Sequence, residues 1–230
     1  MFIRWCAMRG SGSAGVNIRG VFILPPEKSA VLPEVLQLTI TLLGTMPPIW
    51  RRLLAPAGFT LAQLHDVLQA AMGWQSCHMH EFSAGRRHFG KPNPEDRPMG
   101  MPPVENGRTV RLSSLLGRVG AKVVYTYDTG DSWEHGIVLE KRLPVDPGTA
   151  YPVCTGGERA CPPEDCGGIG GFYDLLDAPG DPTHEQHDEL LDWVGGDHDP
   201  GAFSIVEVNR MLTPLRRRQG NTSRGWAPAQ

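Results

Sequence analysis

Residues 35–73, VLQLTITLLGTMPPIWRRLLAPAGFTLAQLHDVLQAAMG, decide the fold, because the hydrophobic period changes within them. Leu36, Leu38, Ile40 and Leu42 alternate with Gln37, Thr39 and Thr41. That period of two belongs to a strand with one buried face. Met46-Pro47-Pro48 turns the chain, and Ile49–Leu54 reads as a second strand. From Thr60 the period lengthens, and Leu61, Leu64, Val67, Leu68, Ala71 and Met72 recur at helical spacing. Thr60 and Gln63 form a capping box at the start of this helix, and Gly73 closes it.

Working outward, a strand is expected around His78–Ala84, with His78, His80 and Phe82 on one face and Met79, Glu81 and Ser83 on the other. Residues 85–108 read as an irregular loop. Lys122–Asp128 and Trp133–Leu143 are two strands of a hairpin turning through Thr129–Ser132. Tyr125 and Tyr127 share a face with Val123, and Trp133, His135, Ile137 and Leu139 share another. A Cys, Gly and Pro-rich loop follows at 154–171, with Gly167–Gly171 as its mobile end. Two helices close the chain. The first starts at Thr183, boxed with Gln186, and leads to Leu190, Leu191 and Trp193. The second starts at Ser204, boxed with Glu207, and runs through Ile205, Val208, Met211, Leu212 and Leu215. Strands, a helix, further strands and a terminal helical pair predict an α+β fold with a mixed or antiparallel sheet. Residues 1–34 read as a poorly ordered leader or an over-long start of the reading frame, 35–217 as one domain, and 218–230 as a flexible tail.

Composition narrows the function classes. Of 230 residues 40% are apolar, enough to bury a core without staples. A net charge of −3 excludes a generally basic nucleic-acid binder and an acidic disordered chain. No apolar run approaches the roughly 20 residues that span a bilayer, and Met1–Gly20 lacks the shape of a signal peptide. A soluble, cytoplasmic protein without a membrane partner is expected. Charge is unevenly spread: residues 154–199 carry Arg159 against 12 acidic side chains. Such a block reads as a solvated helical face or as a surface for cations or a basic protein partner.

Three of the five cysteines, Cys154, Cys161 and Cys166, fall close together among glycines and prolines that can wrap three sulfurs about one point. Three thiolates and a neutral imidazole would close a tetrahedral structural zinc site. The spacing is not the two-residue knuckle of zinc ribbons, so free thiols or one disulfide with a spare remain open. His135, on the strand leading into the loop, ranks first as fourth ligand, ahead of His184, His187 and His198.

A second constellation is catalytic in kind. His78, His80 and His135, with Asp131 at the hairpin turn, could hold a divalent metal or supply a general base if their strands are neighbours. The blander reading is satisfied core histidines, with Trp74 and Trp133 as core beside them. There is no Walker-type loop, nucleophile elbow or His-Glu-x-x-His helix. Arg51-Arg52, Arg86-Arg87 and Arg216–Arg218 are separate patches that read as solvated surface, without the interleaved aromatics of a nucleic-acid stripe.

The segments LTITLLGTMPPIWRRLL (38–54), TLAQLHDVLQAAMGWQSCHMH (60–80), YTYDTGDSWEHGIVLE (125–140), Cys154–Gly168 and Trp193–Leu212 together resemble the plasmid pRiA4b ORF-3-like family. Its members are also labelled insertion-sequence passenger proteins of a TnpR type. Gly130-Asp131-Ser132-Trp133-Glu134-His135 and the block from Arg159 to Gly168 are the most specific parts. The resemblance implies a bacterial α+β domain, often carried on plasmids and mobile elements, and specifies no reaction. The resolvase label does not suit this chain. None of Tyr125, Tyr127, Tyr151 and Tyr173 has Arg two residues on, as a serine resolvase would require.

The leading expectation is therefore a non-catalytic accessory or interaction domain organised by zinc on Cys154, Cys161, Cys166 and His135. The alternatives are a metal-assisted hydrolase or nuclease using His78, His80, Asp131 and His135, and a nucleic-acid-binding accessory protein.

Overall fold

The computed structural model describes residues 33–92, 103–177 and 199–220. Two strands, β1 (Glu34–Leu42) and β2 (Ile49–Pro56), pair antiparallel and send Leu36, Leu38, Ile40, Leu42, Ile49, Leu53 and Ala55 into the core. Helix α1 (Leu61–Met72) follows with both capping-box bonds made, and Gly73 ends it in the left-handed conformation. Leu61, Leu64, Val67, Leu68 and Ala71 are buried, the stripe that the spacing predicts.

The next strand is shorter than expected. β3 (His80–Ala84) begins two residues late, so His78 stands outside the strand and does not share a face with His80. A left-handed Ser76 in the preceding connection redirects the chain there. The stretch expected as irregular loop contains two further strands, β4 (Arg87–Gly90) and β5 (Val104–Asn106). β3 and β4 meet across Gly85-Arg86, with Gly85 at φ 63 at the first position of a two-residue turn. Helix α2 (Leu112–Leu115) leads to the hairpin β6 (Lys122–Tyr127) and β7 (Trp133–Pro144), paired as expected. The glycine- and cysteine-rich stretch starts as strand β8 (Val153–Glu158). The Gly167–Gly171 run is no loose end: helix α3 (Gly168–Asp177) opens within it, and a side chain at Gly171 would overlap the Cys166 carbonyl. Helix α4 (Ile205–Gly220) begins after Ser204, whose hydroxyl accepts from the Glu207 amide. The helix expected from Thr183, with His184, His187 and His198, lies outside the described residues, as do the leader up to residue 32 and the tail from residue 221.

The eight strands form one sheet in the order β5-β4-β3-β6-β7-β1-β2-β8, antiparallel except for the parallel β4–β5 pair. This is an α+β fold with a mixed sheet. One face carries the core. On the other, Glu140 of β7 accepts from Arg52, Gln37 and Thr39. The Arg52 bond, foremost, holds its carboxyl down at about 2.

Edge strand β8 is closed from the side. The Asn209 side chain of α4 accepts from the Cys154 amide at 3.0 Å and donates to its carbonyl at 2.8 Å, as a neighbouring strand would. Arg51, expected on a solvated patch, is buried. It donates to the carbonyls of Ala71, Trp50 and Glu158 and lies 4.8 Å over the Phe203 ring. Its guanidinium thereby ties together the end of α1, the end of β8 and the segment leading into α4. No helix among the described residues is long and apolar enough to cross a membrane.

Candidate metal centre

Three segments that are far apart in sequence meet at one end of the sheet. The first is the connection from α1 to β3. The Trp74 indole donates to the Pro162 carbonyl at 2.9 Å, and the Gln69 side chain accepts from the Ser76 amide at 2.8 Å. Both bonds fix the stretch carrying Cys77 and His78. The second is the end of β6, where pairing of His80 with Tyr127 sets Asp128 beside Met79. The Asp128 amide donates to the Met79 carbonyl at 2.9 Å. The third is Pro162-Pro163-Glu164-Asp165, beyond β8.

Tyr127 stands at the junction. Its hydroxyl oxygen accepts from the amides of Cys77 (3.1 Å) and His78 (3.4 Å), and its proton goes to the Glu164 carboxylate at 3.2 Å. Burial, foremost, raises the Tyr127 pKa, so the phenol stays protonated. The Gln75 amide donates to Glu164 Oε1 at 2.7 Å, and Cys77 Sγ lies 3.6 Å from Oε2. Asp128 turns Oδ1 to the Gly130 amide at 2.8 Å, while Oδ2 faces His78.

The centre of the cluster is His78 Nε2. It lies 2.9 Å from Asp165 Oδ1, 3.6 Å from Asp128 Oδ2 and 3.7 Å from Glu164 Oε2. It is shut off from solvent and makes no directed hydrogen bond to any of them. Two sets of donor atoms lie within 4.8 Å of one another: Cys77, His78 and Glu164, and His78, Asp128 and Asp165. These are the sets of that kind among the described residues.

The four residues of the zinc site drawn from the sequence are not among the donor sets within 4.8 Å of one another, and Cys154 and Cys161 have separate partners. Cys154 is buried on β8, its Sγ 3.3 Å from the Gly156 carbonyl, and burial raises its pKa. Cys161 Sγ lies 3.2 Å from Met72 Sδ and 3.5 Å from Arg51, and burial pushes the thiol up to about 11. Cys166 is pushed up to about 12 by burial and then by Asp131. None of the four described cysteines is in a disulfide. His135 is fully buried. Its Nδ1 faces the carbonyls of Trp133 (3.1 Å) and Tyr125 (3.3 Å), both acceptors, so that nitrogen carries the proton. Burial lowers the imidazole to about 4.

The four-residue hydrolase set is not assembled either. His78 enters the carboxylate cluster, whereas Asp131 accepts from the Gly167 amide at 3.2 Å and His135 stays in the core against Trp74. His80 stacks on His65, with ring centroids 3.5 Å apart and planes 9° apart. The Tyr125 hydroxyl accepts from Gln69 at 2.9 Å and so donates to His65 Nδ1 at 2.8 Å. Burial, then His80, lowers His65 to about 3. Sequence reading did not single out Cys77, Asp128, Glu164 and Asp165, which the fold gathers around His78. The signal was present in two places, the adjacent Cys77-His78 and the acid pair set inside the most specific cysteine block.

All the residues of the cluster fall within residues 34–207, the span matched by the plasmid pRiA4b ORF-3-like protein family, and the chain belongs to that family. The uncharacterized protein y4hQ of Sinorhizobium fredii (strain NBRC 101917 / NGR234) is 37% identical over 196 residues, which are 84% of this chain and 98% of that protein. The crystal structure of MM3350, a protein of unknown function from Methanosarcina mazei Go1, superposes with a TM-score of 0.68 at 33% identity, covering 76% of this chain and 97% of the other.

Proposed function

We propose that this protein is a metal-binding accessory domain that holds one divalent ion, zinc, around His78 Nε2. The observation that carries this reading is a solvent-shielded imidazole nitrogen set among three carboxylates without a directed bond to any. One imidazole, one thiol and several carboxylates form a mixed donor set that suits zinc better than the all-oxygen shells of magnesium or calcium. The ion would fasten the α1–β3 connection, the end of β6 and the loop beyond β8 to one another. Its role in this reading is structural, and the domain acts through a partner. A second reading, metal-assisted hydrolysis, rests on the Asp165 side chain, which is 64% exposed and would bring water to the edge of a bound ion.

The test is metal analysis of protein purified without chelator. About one equivalent of zinc is expected, since one site is drawn. It should be lost in His78→Ala and in Asp165→Asn, and kept in Cys154→Ser and Cys161→Ser. Cobalt replacement should give a thiolate charge-transfer band that disappears in Cys77→Ser. Metal-free protein, or metal that survives His78→Ala and leaves with Cys161→Ser, overturns the assignment. Cleavage of a phosphodiester or ester by the zinc form, abolished in Asp165→Asn, would favour the second reading.

A further inference from the structure

A cleft of about 400 Å³ lies between the first turn of α1 and the corner where β3, β4 and β5 meet. Leu61 and Phe82 give it apolar walls, and His80 forms part of its lining. The back of the His80 ring is fixed by the stack on His65, which is itself held by Tyr125 and Gln69. No described residue hydrogen-bonds either ring nitrogen of His80. Lys91 and Arg108 also line the cleft, and neither has a carboxylate within ion-pair distance among the described residues. An apolar hollow bordered by two cations and an imidazole, each without a side-chain partner among the described residues, matches one kind of ligand: an apolar body ending in an anion.

We infer that this cleft is a binding site for a small organic carboxylate with a compact aryl or branched aliphatic body. The carboxylate lies towards Lys91 and Arg108 with His80 as hydrogen-bond partner, and the body lies against Leu61 and Phe82. The site is separate from the cluster at His78 and needs no metal.

Titration of the isotope-labelled full chain with phenylacetate, followed by NMR with and without EDTA, tests this. Saturable shifts are expected at Leu61, His80 and Phe82, unchanged by EDTA. Acetate, which lacks the body, and phenylacetamide, which lacks the charge, should bind at least about tenfold more weakly. The double substitution Lys91→Gln and Arg108→Gln removes two exposed cations, so it should leave the fold intact and weaken phenylacetate by about tenfold or more. No saturable shift up to about 10 mM overturns the proposal, a range that still detects millimolar sites. So does an amide that binds as tightly as the acid, or binding that the double substitution leaves untouched. Phenyl phosphate binding more tightly than phenylacetate would also overturn it, by making the ligand a phosphate ester. Shifts that vanish with EDTA would place the acid on the metal, against this site and in favour of the cluster at His78.

Discussion

His65 and His135 each hold an imidazole where its charged form has no place. One accepts a proton-bearing hydroxyl from Tyr125, and the other gives its own proton to two carbonyls. Both pKa values lie below the ordinary 6.5, at about 3 and about 4, because burial penalises the cation. The unfolded chain therefore binds protons that the folded chain refuses. Their stability contribution is complete above pH 6.5 and drains as pH falls towards those values. Each group removes about 1.4 kcal/mol per pH unit in that window. Urea unfolding at pH 7 and pH 5 should show a loss of about 2–4 kcal/mol, and His65→Gln should reduce the slope by about one proton. Equal stability at both pH values would refute the assignment. Neither role is legible in the sequence. His65 sits at a buried position of a predicted helix and His135 at a buried position of a predicted strand. What decides their chemistry is the atom opposite each nitrogen, and no period of residues encodes that.

At the level of elements, β1, β2, α1, β6 and β7 are legible because their patterns are long enough to average over exceptions. The short strands are not. β4 has Phe89 as its one large buried side chain, and β5 has three residues. β8 hides for a different reason: its Gly156-Gly157 looks like turn chemistry but serves close packing. A Cβ at Gly157 would stand 2.6 Å from the Phe203 ring and 2.9 Å from the Trp50 carbonyl oxygen, and the second of these is backbone that cannot swing away. At Gly156 the nearest atom would be Trp50 at 3.5 Å, an ordinary contact. Gly157→Ala should thus cost about 2 kcal/mol by forced backbone displacement. Gly156→Ala should cost under about 1 kcal/mol. Chemical denaturation of the two variants measures the contrast. Equal effects would show that β8 is not packed as described.

For the molecule as a whole, sheet order does what sequence cannot. His80 pairs with Tyr127, and this brings the residue after β6 beside the connection before β3, although the two are about fifty positions apart. The loop beyond β8 then reaches the same end of the sheet through Trp74 and Pro162. Three of the segments that carry the family resemblance, 60–80, 125–140 and Cys154–Gly168, therefore meet at one place, while the spacing of cysteines along the chain pointed elsewhere. If an ion fastens these segments, chelation should loosen them selectively. Hydrogen exchange at Glu164–Gly167 should speed up about tenfold or more in EDTA, with β1 and β7 unchanged, because a local tie governs local opening. Uniform exchange in both conditions would argue that the loop needs no ion to stay closed.

Asn209 also decides where the sheet stops. By occupying both backbone groups of Cys154 with a side-chain amide, it takes one rung of that border out of reach of a second molecule arriving edge-on. The eight-stranded sheet thus meets a side-chain stopper at Cys154 on its β8 border, which hinders stacking of a further strand at that point before any charge on the surface has to oppose it.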